Sequence, residues 1–452
     1  MYKYLSLLND LEHWIQSGEY KEGDKLPSIR MLAEQYRCSK STIIRALDEL
    51  EQRHMVYSVA KSGYYVMKRK QPRRHSDRST VDFASSAPDP EVFPYLDFQQ
   101  CINKAIDIYK NELFVYGTRQ GLPSLIKVIE KQLANYQVFT SADHIYITSG
   151  IQQALALLTT IPFPNGKDTI LIEQPGYHLY IEYVETHNVP VLGIERTSEG
   201  IDLQELERLF QTQRIKFFYT MPRFHNPLGT SYSQQQKKTI AKLAERYDVY
   251  IVEDDYLADL DRDAKADPIY AYDRSAHVIY LKSYSKIIFP GLRVGAAVIP
   301  PSIAEPFHKY KKLLDVDSSM LSQAALEIYI KNGMFERHKQ KIRSAYSSRT
   351  ERLTSALEEA QRQSKGLYRY TPAGNPCIHT YMSLDKRVQG QELMARLKRQ
   401  SILVDMAEAN YLSSFPKSSL LKLNVSNVKI EDIERGIERV MLEINKYDKE
   451  TL

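Results

Sequence analysis

The stretch Leu281-Lys-Ser-Tyr-Ser-Lys-Ile-Ile-Phe-Pro-Gly-Leu-Arg-Val-Gly295 decides how the rest of the chain is read. A short apolar lead, His277 to Leu281, predicts a buried strand that runs into Ser283, Ser285 and Lys286. A Gly-Leu-Arg turn follows at Gly291 to Arg293. A lysine between hydroxyls, with an arginine seven residues on, suits an amine that attacks an aldehyde beside a bound phosphate. Such an amine must be partly desolvated to stay neutral, and hydroxyls with a guanidinium hold phosphate through charge-assisted bonds. Alone, Ser-x-Ser-Lys is a weak signal, because most such lysines are simply solvated.

Upstream segments raise its weight. Tyr250-Ile-Val-Glu-Asp-Asp-Tyr256 is a strand ending in acids, and a carboxylate at the C-terminal end of a parallel strand can keep a pyridinium nitrogen protonated. Phe217 to Gly229 is another apolar strand, ending in a polar turn that carries Arg223 and Asn226. Ile145 to Leu155 runs strand, glycine turn at Gly150, then helix, and the N-terminus of such a helix offers unpaired N–H groups to a phosphate. Ile170 to Tyr177 sets an aromatic just past a further strand end, where it can stack on a ring. Each piece alone fits an ordinary strand and turn; together, in order, they describe one site.

From about Val81 to the C-terminus these motifs resemble the fold type I aminotransferases, which use pyridoxal 5′-phosphate, and especially the branch with the kynurenine and α-aminoadipate aminotransferases. The resemblance implies an α/β body with a doubly wound large domain and a small C-terminal α+β domain. It makes Lys286 the lysine that joins the cofactor, pairs Asp254 (or, less well matched, Asp255) with the pyridine nitrogen, and places Tyr256 and Asn226 on the ring oxygen. Tyr177 would stack on the ring. Gly150, Ile151 and Gln152 would meet the phosphate from one side, and Ser283, Ser285 and Arg293 from the other. Tyr116 matches a tyrosine that reaches the partner subunit's site, which implies a homodimer. Two positions depart from the pattern. Lys422 stands where the family has an arginine for the substrate carboxylate, and a lysine lacks the planar fork; Arg223 is the alternative binder of an acidic group. Ile151 replaces a hydroxyl residue near the phosphate. His225 and Asp255 suggest no function of their own and read as structural.

The chain has 452 residues and a formal charge of +5. Residues 1–80 hold 15 Lys and Arg against 10 Asp and Glu, which is the whole +5, leaving 46 against 46 in the rest. A basic front on a neutral body points to an anionic partner, nucleic acid before membrane. No run of apolar residues is long enough to span a bilayer, and the polar residues within the first helical pattern argue against a signal peptide, so a cytoplasmic protein is expected. Three scattered cysteines, Cys38, Cys101 and Cys377, match no metal spacing, and no metal site is expected.

Helical spacing over Tyr4–Ser17, a loop, a short helix from Pro27, a turn at Cys38 and a third helix from Ser39 to about Arg53 precede a hairpin through Val56–Ala60 and Tyr64–Met67. That is a winged helix-turn-helix, with Ile43, Ile44, Leu47 and Leu50 expected on the inner face of the third helix. Gly-Asp-Lys-Leu-Pro-Ser-Ile-Arg onward closely resembles the GntR-type DNA-binding domain. Ser39, Lys40, Ser41 and Thr42 sit at the start of the recognition helix, where such proteins meet bases and phosphates. Arg30, Arg45 and Lys61 are placed for DNA contacts, and Gly63 lets the wing approach the backbone.

The domains are thus expected at 1–67 (winged helix), 68–81 (basic linker) and 82–452 (aminotransferase-like), the last divided into a large part, about 82–330, and a small part, about 340–452. This combination resembles the MocR-type regulators. The resemblance implies a transcription factor that binds operator DNA and senses an amine or amino acid effector by aldimine exchange at Lys286. Two alternatives remain: an active aminotransferase that also binds DNA, and a DNA-binding dimer whose body no longer holds the cofactor.

Overall fold

The computed structural model describes residues 3–21, 23–52, 55–59, 62–67, 80–86, 92–263, 266–362, 366–372 and 377–449. The chain divides into two compact units, Met1–Ser79 and Thr80–Leu452.

The first unit holds α1 (Lys3–Gln16), α2 (Ile29–Gln35), α3 (Lys40–Gln52) and an antiparallel pair, β1 (Val56–Val59) with β2 (Gly63–Val66). Leu8 and Leu11 of α1 meet Leu32 of α2 and Ile43, Leu47 and Leu50 of α3 in one buried cluster. Ser28 caps α2 by accepting from the Met31 N–H at 3.2 Å. The Ser39 hydroxyl caps α3, accepting from the Thr42 N–H at 3.2 Å. One expected core residue is corrected: Ile44 is 40% exposed. The stripe recurs every three to four residues, and Ala46, fully buried, fills the inner face while Ile44 turns outward. Lys61 and residues 68–79 of the linker lie outside the described residues.

The second unit begins with β3 (Val81–Asp82), then α4 (Tyr95–Tyr109) and α5 (Pro123–Ala134). Strands and helices then alternate through β4 (Ile145–Thr148), α6 (Ile151–Thr160), β5 (Thr169–Gln174), α7 (His178–Thr186), β6 (Val191–Thr197), β7 (Gly200–Ile201) and α8 (Leu203–Thr212). The alternation continues with β8 (Ile215–Thr220), α9 (Gln234–Tyr247), β9 (Tyr250–Asp254), β10 (Val278–Ser283) and β11 (Gly295–Val298). These strands form one sheet in the order β4-β11-β10-β9-β8-β5-β6-β7. The sheet is mixed: β8, β9, β10, β5 and β6 pair in parallel, while β11 and β7 run against their neighbours. Strands β4, β5, β8, β9 and β10 are buried almost throughout, the near-continuous apolar pattern of a sheet covered on both faces.

Three helices follow, α10 (Pro301–Leu314), α11 (Met320–Lys331) and α12 (Met334–Arg362). A second sheet, β12-β13-β16-β15, uses β12 (Tyr368–Arg369), β13 (His379–Leu384), β15 (Asp405–Met406) and β16 (Leu420–Asn424). It packs with α13 (Gly390–Arg399), α14 (Ile430–Ile444) and the end of α12 around Leu353, Leu357, Leu393, Leu423 and Ile437.

The expected boundaries shift at the entrance to this unit. Val81 pairs with Ile402 of β14 (Ile402–Leu403), and Val81 and Phe83 belong to the core of the small part. The segment after the linker is therefore a strap on the small part rather than the start of the large one. Pairing hides its backbone, and the close fit of Phe83 against Gly436, where an added Cβ would lie 2.6 Å from the ring, locks it down. Among the described residues no helix is long and apolar enough to cross a membrane.

Candidate active site

The strand ends converge as their registers require. Leu281 of β10 pairs with Asp254 of β9, Thr220 of β8 with Glu253, and Gly295 with both Ser283 and Thr148. The segments carrying Gly150, Tyr177, Asn226, Tyr256 and Lys286 therefore leave the same edge of the sheet, where open α/β sheets bind ligands.

Lys286 Nζ donates to the Ser86 carbonyl at 2.7 Å and meets the Ser86 hydroxyl at 2.8 Å. No carboxylate offsets its burial, so desolvation lowers its pKa from 10.5 to about 8. A substantial neutral fraction near physiological pH follows, as attack on an aldehyde needs. In apoprotein, acylation of Lys286, located by peptide mapping, should rise through about pH 8. A midpoint at 10.5, that of an ordinary lysine, would contradict this environment.

Asp254 and Asp255 separate cleanly. The Asp255 carboxylate binds the Arg223 guanidinium through both its oxygens and also accepts from Tyr280 Oη at 2.7 Å. Asp254 accepts from Tyr219 Oη at 2.8 Å through Oδ2, while its buried Oδ1 has no partner among the described residues. Burial raises Asp254 to about 7, with the Tyr219 bond opposing and Asp255 adding to the rise. A protonated ring nitrogen against Oδ1 would provide the missing counter-charge.

Gly150 caps α6 at φ 85°, a conformation that favours glycine. An added Cβ would also lie 2.7 Å from the Arg293 guanidinium. Arg293 donates to the Ser149 carbonyl at 2.7 Å, which sets it beside the free N–H groups of α6. Ile151 opens that helix and packs on the core, and Gln152 lies close enough to the Tyr177 hydroxyl to oppose the rise in its pKa. Tyr177, largely buried, is pushed up to about 12 by burial and then by Asp254. Ser283 is buried and accepts from the Ser285 N–H at 3.2 Å, and the buried Ser285 hydroxyl has no partner among the described residues. Asn226 is half-buried at its turn. The Tyr256 hydroxyl donates to the Phe224 carbonyl at 2.8 Å, so only its lone pairs remain for a ring oxygen.

Arg223 is corrected. It was expected as a possible binder of an acidic ligand group, but its side chain is 3% exposed and held by Asp255, Asp261 and the Ala266 carbonyl. Four of its five N–H groups are taken in this way, which leaves no fork to offer a ligand carboxylate. Lys422 pairs with Asp405 at 2.7 Å and with Asn410 Oδ1 at 3.0 Å. Asn410 in turn donates to the Gly176 carbonyl at 2.7 Å, which brings Lys422 to the Tyr177 turn. Tyr116 is 82% exposed. His225 lies buried 3.4 Å from Glu173, a structural place.

Sequence reading missed Ser86, Asn410 and His379. The Ser86 contact joins residues 200 apart, and a lone histidine in an apolar strand carries no ligand pattern. A hollow of about 900 Å³ lined by Phe139, His144 and Tyr270 opens beside Val278 and Val298. It lies at the opposite ends of the strands and includes none of these groups.

In the winged helix, Lys40 and Ser41 at the start of α3 are exposed. The Ser39 hydroxyl lies 2.7 Å from that of Ser41 and 2.8 Å from that of Thr42. Arg30 pairs with Glu34 at 3.2 Å, and Arg45 lies over the Tyr4 ring at 5.3 Å. Gly63, at φ 125°, turns the hairpin.

A family model for class I and II aminotransferases matches residues 81–440, and one for bacterial regulatory proteins of the gntR family matches residues 3–66. The HTH-type transcriptional regulator YcxD of Bacillus subtilis is 57% identical over 441 residues, 98% of this chain and 99% of that one. Aromatic-amino-acid aminotransferase 1 of Thermococcus litoralis is 28% identical, over 80% of this chain and 87% of its own. The kynurenine aminotransferase structure from Pyrococcus horikoshii, solved with PMP, superposes with a TM-score of 0.74 at 27% identity, covering 82% of this chain and 91% of that one.

A GntR-type helix-turn-helix and a fold type I aminotransferase body in one chain define a transcriptional regulator built on an enzyme fold. The chain belongs to the MocR-type regulators. Pyridoxal 5′-phosphate is the cofactor of this fold, and the residues fit it. The unpartnered Asp254 oxygen, the desolvated Lys286 amine and the Gly150–Arg293 approach match its nitrogen, aldehyde and phosphate.

Proposed function

We propose that this protein regulates transcription by sensing a primary amine or amino acid through exchange at Lys286, and that it acts as a homodimer on operator DNA. The observation that carries this reading is a desolvated lysine at the same strand ends as a carboxylate with an unpartnered oxygen, in the same chain as a winged helix. Pyridoxal 5′-phosphate, when bound, supplies an electrophilic carbon for an amine. Lys286 would hold that carbon through its partly desolvated amine, and the unpartnered oxygen of Asp254 would keep the ring nitrogen protonated. Tyr177 would cover the ring, Tyr256 and Asn226 would face its oxygen, and Gly150, Ile151, Gln152, Ser283, Ser285 and Arg293 would hold the phosphate. A Lys286 amine not engaged by the cofactor would rest on Ser86, as it does here, on the strap that follows the linker. Differential binding of effector to two arrangements of the body then alters DNA affinity.

Exposed Phe114, Val115 and Tyr116 form an apolar loop of the kind that a subunit interface covers, which supports the dimer. The enzyme reading is weaker here, because Arg223 is engaged by acids and Lys422 offers a point charge in place of a fork.

Lys40→Ala should weaken binding to DNA and lower the slope of affinity against salt by about one, leaving the cofactor band unchanged. Equal affinity in parent and variant would misplace the recognition surface. For the sensing half, holoprotein is titrated with amines and amino acids while its visible band is followed. A shift without keto-acid release supports a sensor, and sustained keto-acid release supports the enzyme alternative.

A further inference from the structure

β13 and β16 lie antiparallel with His379 opposite Asn424 and Tyr381 opposite Lys422. Directly paired residues, and residues two apart along a strand, share a face. His379, Tyr381, Lys422 and Asn424 therefore project from one side of the small sheet. Two contacts show what that side meets. Lys422 reaches the Tyr177 turn through Asn410, and the His379 ring centroid lies 6.2 Å from that of Tyr256. This face closes over the edge of the large sheet where Lys286 sits.

The hydrogen-bond pattern fixes the state of His379. Asn424 Oδ1 accepts from the Ser426 N–H at 2.8 Å and from its hydroxyl at 2.6 Å, so the amide NH₂ is the end that meets His379 Nδ1 at 2.9 Å. Nδ1 is then the acceptor, and in a neutral ring the hydrogen belongs to Nε2. Burial, followed by the charges of Lys286 and Lys422, pushes the ring pKa down to about 3, so it is neutral. Nε2 has no partner among the described residues, and its residue is 6% exposed. A buried unpaired donor is costly and uncommon. Nearby, Lys422 uses two of its three N–H groups on Asp405 and Asn410, and Arg223 is held by Asp255, Asp261 and the Ala266 carbonyl.

We propose that His379 is a specificity-determining residue of the effector site, its Nε2–H donating, together with the third N–H of Lys422, to the carboxylate of an amino acid. This rests on the reading of Lys286 as the exchange site and narrows the effector from amines in general to amino acids. Two single donors on neighbouring strands replace a planar guanidinium. An amine lacking a carboxylate leaves the histidine N–H unpaired.

The test uses holoprotein and two probes: the L-amino acid that shifts the visible band at lowest concentration, and the primary amine made by removing its carboxylate. Parent protein should bind the amino acid about tenfold or more tightly than the amine, the worth of a hydrogen bond to a charged group. His379→Phe should lower that preference several-fold by weakening only the amino acid, and His379→Gln, which restores an N–H donor, should recover part of the loss. Equal weakening of both probes in His379→Phe, or an unchanged preference, overturns the proposal. If no probe shifts the parent band, the exchange reading fails, and His379 is then judged by thermal stabilisation of holoprotein with succinate. Stabilisation lost in His379→Phe and regained in His379→Gln supports carboxylate recognition, and equal stabilisation in all three proteins overturns it.

Discussion

Lys286→Ala is expected to abolish the visible absorption band of the holoprotein and every response of that band to amines, while the protein stays folded. The amine bonds only the two oxygens of Ser86 and balances no acid, so its removal should change stability by no more than about 1 kcal/mol. The control is Lys282, four residues earlier, fully buried and paired with Asp259. Lys282→Ala leaves a buried carboxylate without its counter-charge, so it should lower thermal stability and keep the band. The two lysines thus separate chemistry from packing. A band that survives in Lys286→Ala would contradict the assignment.

Arg223→Met should cost about 3–5 kcal/mol of folding stability, the usual consequence of leaving half a buried ion pair uncompensated. Asp255 is fully buried, and the Arg223 guanidinium holds its carboxyl below the usual range against the opposing effect of burial. In the parent this depressed pKa contributes stability at neutral pH that is lost only as pH falls through the folded value. Without the guanidinium, burial instead raises the pKa of Asp255, so the variant should gain stability as pH falls from neutral. Denaturant melts between pH 5 and about 8 should therefore show a variant that gains stability toward pH 5 relative to the parent, in which this carboxyl stays ionised throughout, and parallel curves would refute the pairing. Adding Asp255→Leu to Arg223→Met should recover much of the loss.

The motifs that the sequence made legible are those packed into short segments with their own periodicity. Strand, turn and helix at Ile145–Leu155, and the acidic strand end at Asp254, carry their chemistry within a few residues, and the register of the sheet then brings them together. The winged helix was legible for the same reason, although Ile44 was placed inward because spacing alone does not tell the centre of a stripe from its flank. What the sequence could not show depends on distant pairing. Ser86 meets Lys286 because β3 joins the small part, the donor of His379 follows from an amide fixed by Ser426, and Arg223 loses its freedom to a neighbouring strand's acid. Lys422 keeps its place but already holds a partner.

The most direct test of the account measures the affinity of holoprotein for a duplex it has selected from a random pool, with and without the amine or amino acid that shifts its band, in parent and Lys286→Ala. The account expects that ligand to change the parent's DNA affinity or its preferred half-site spacing and to leave Lys286→Ala unaffected. The same DNA response in both proteins, or none in the parent while the band shifts, would contradict it.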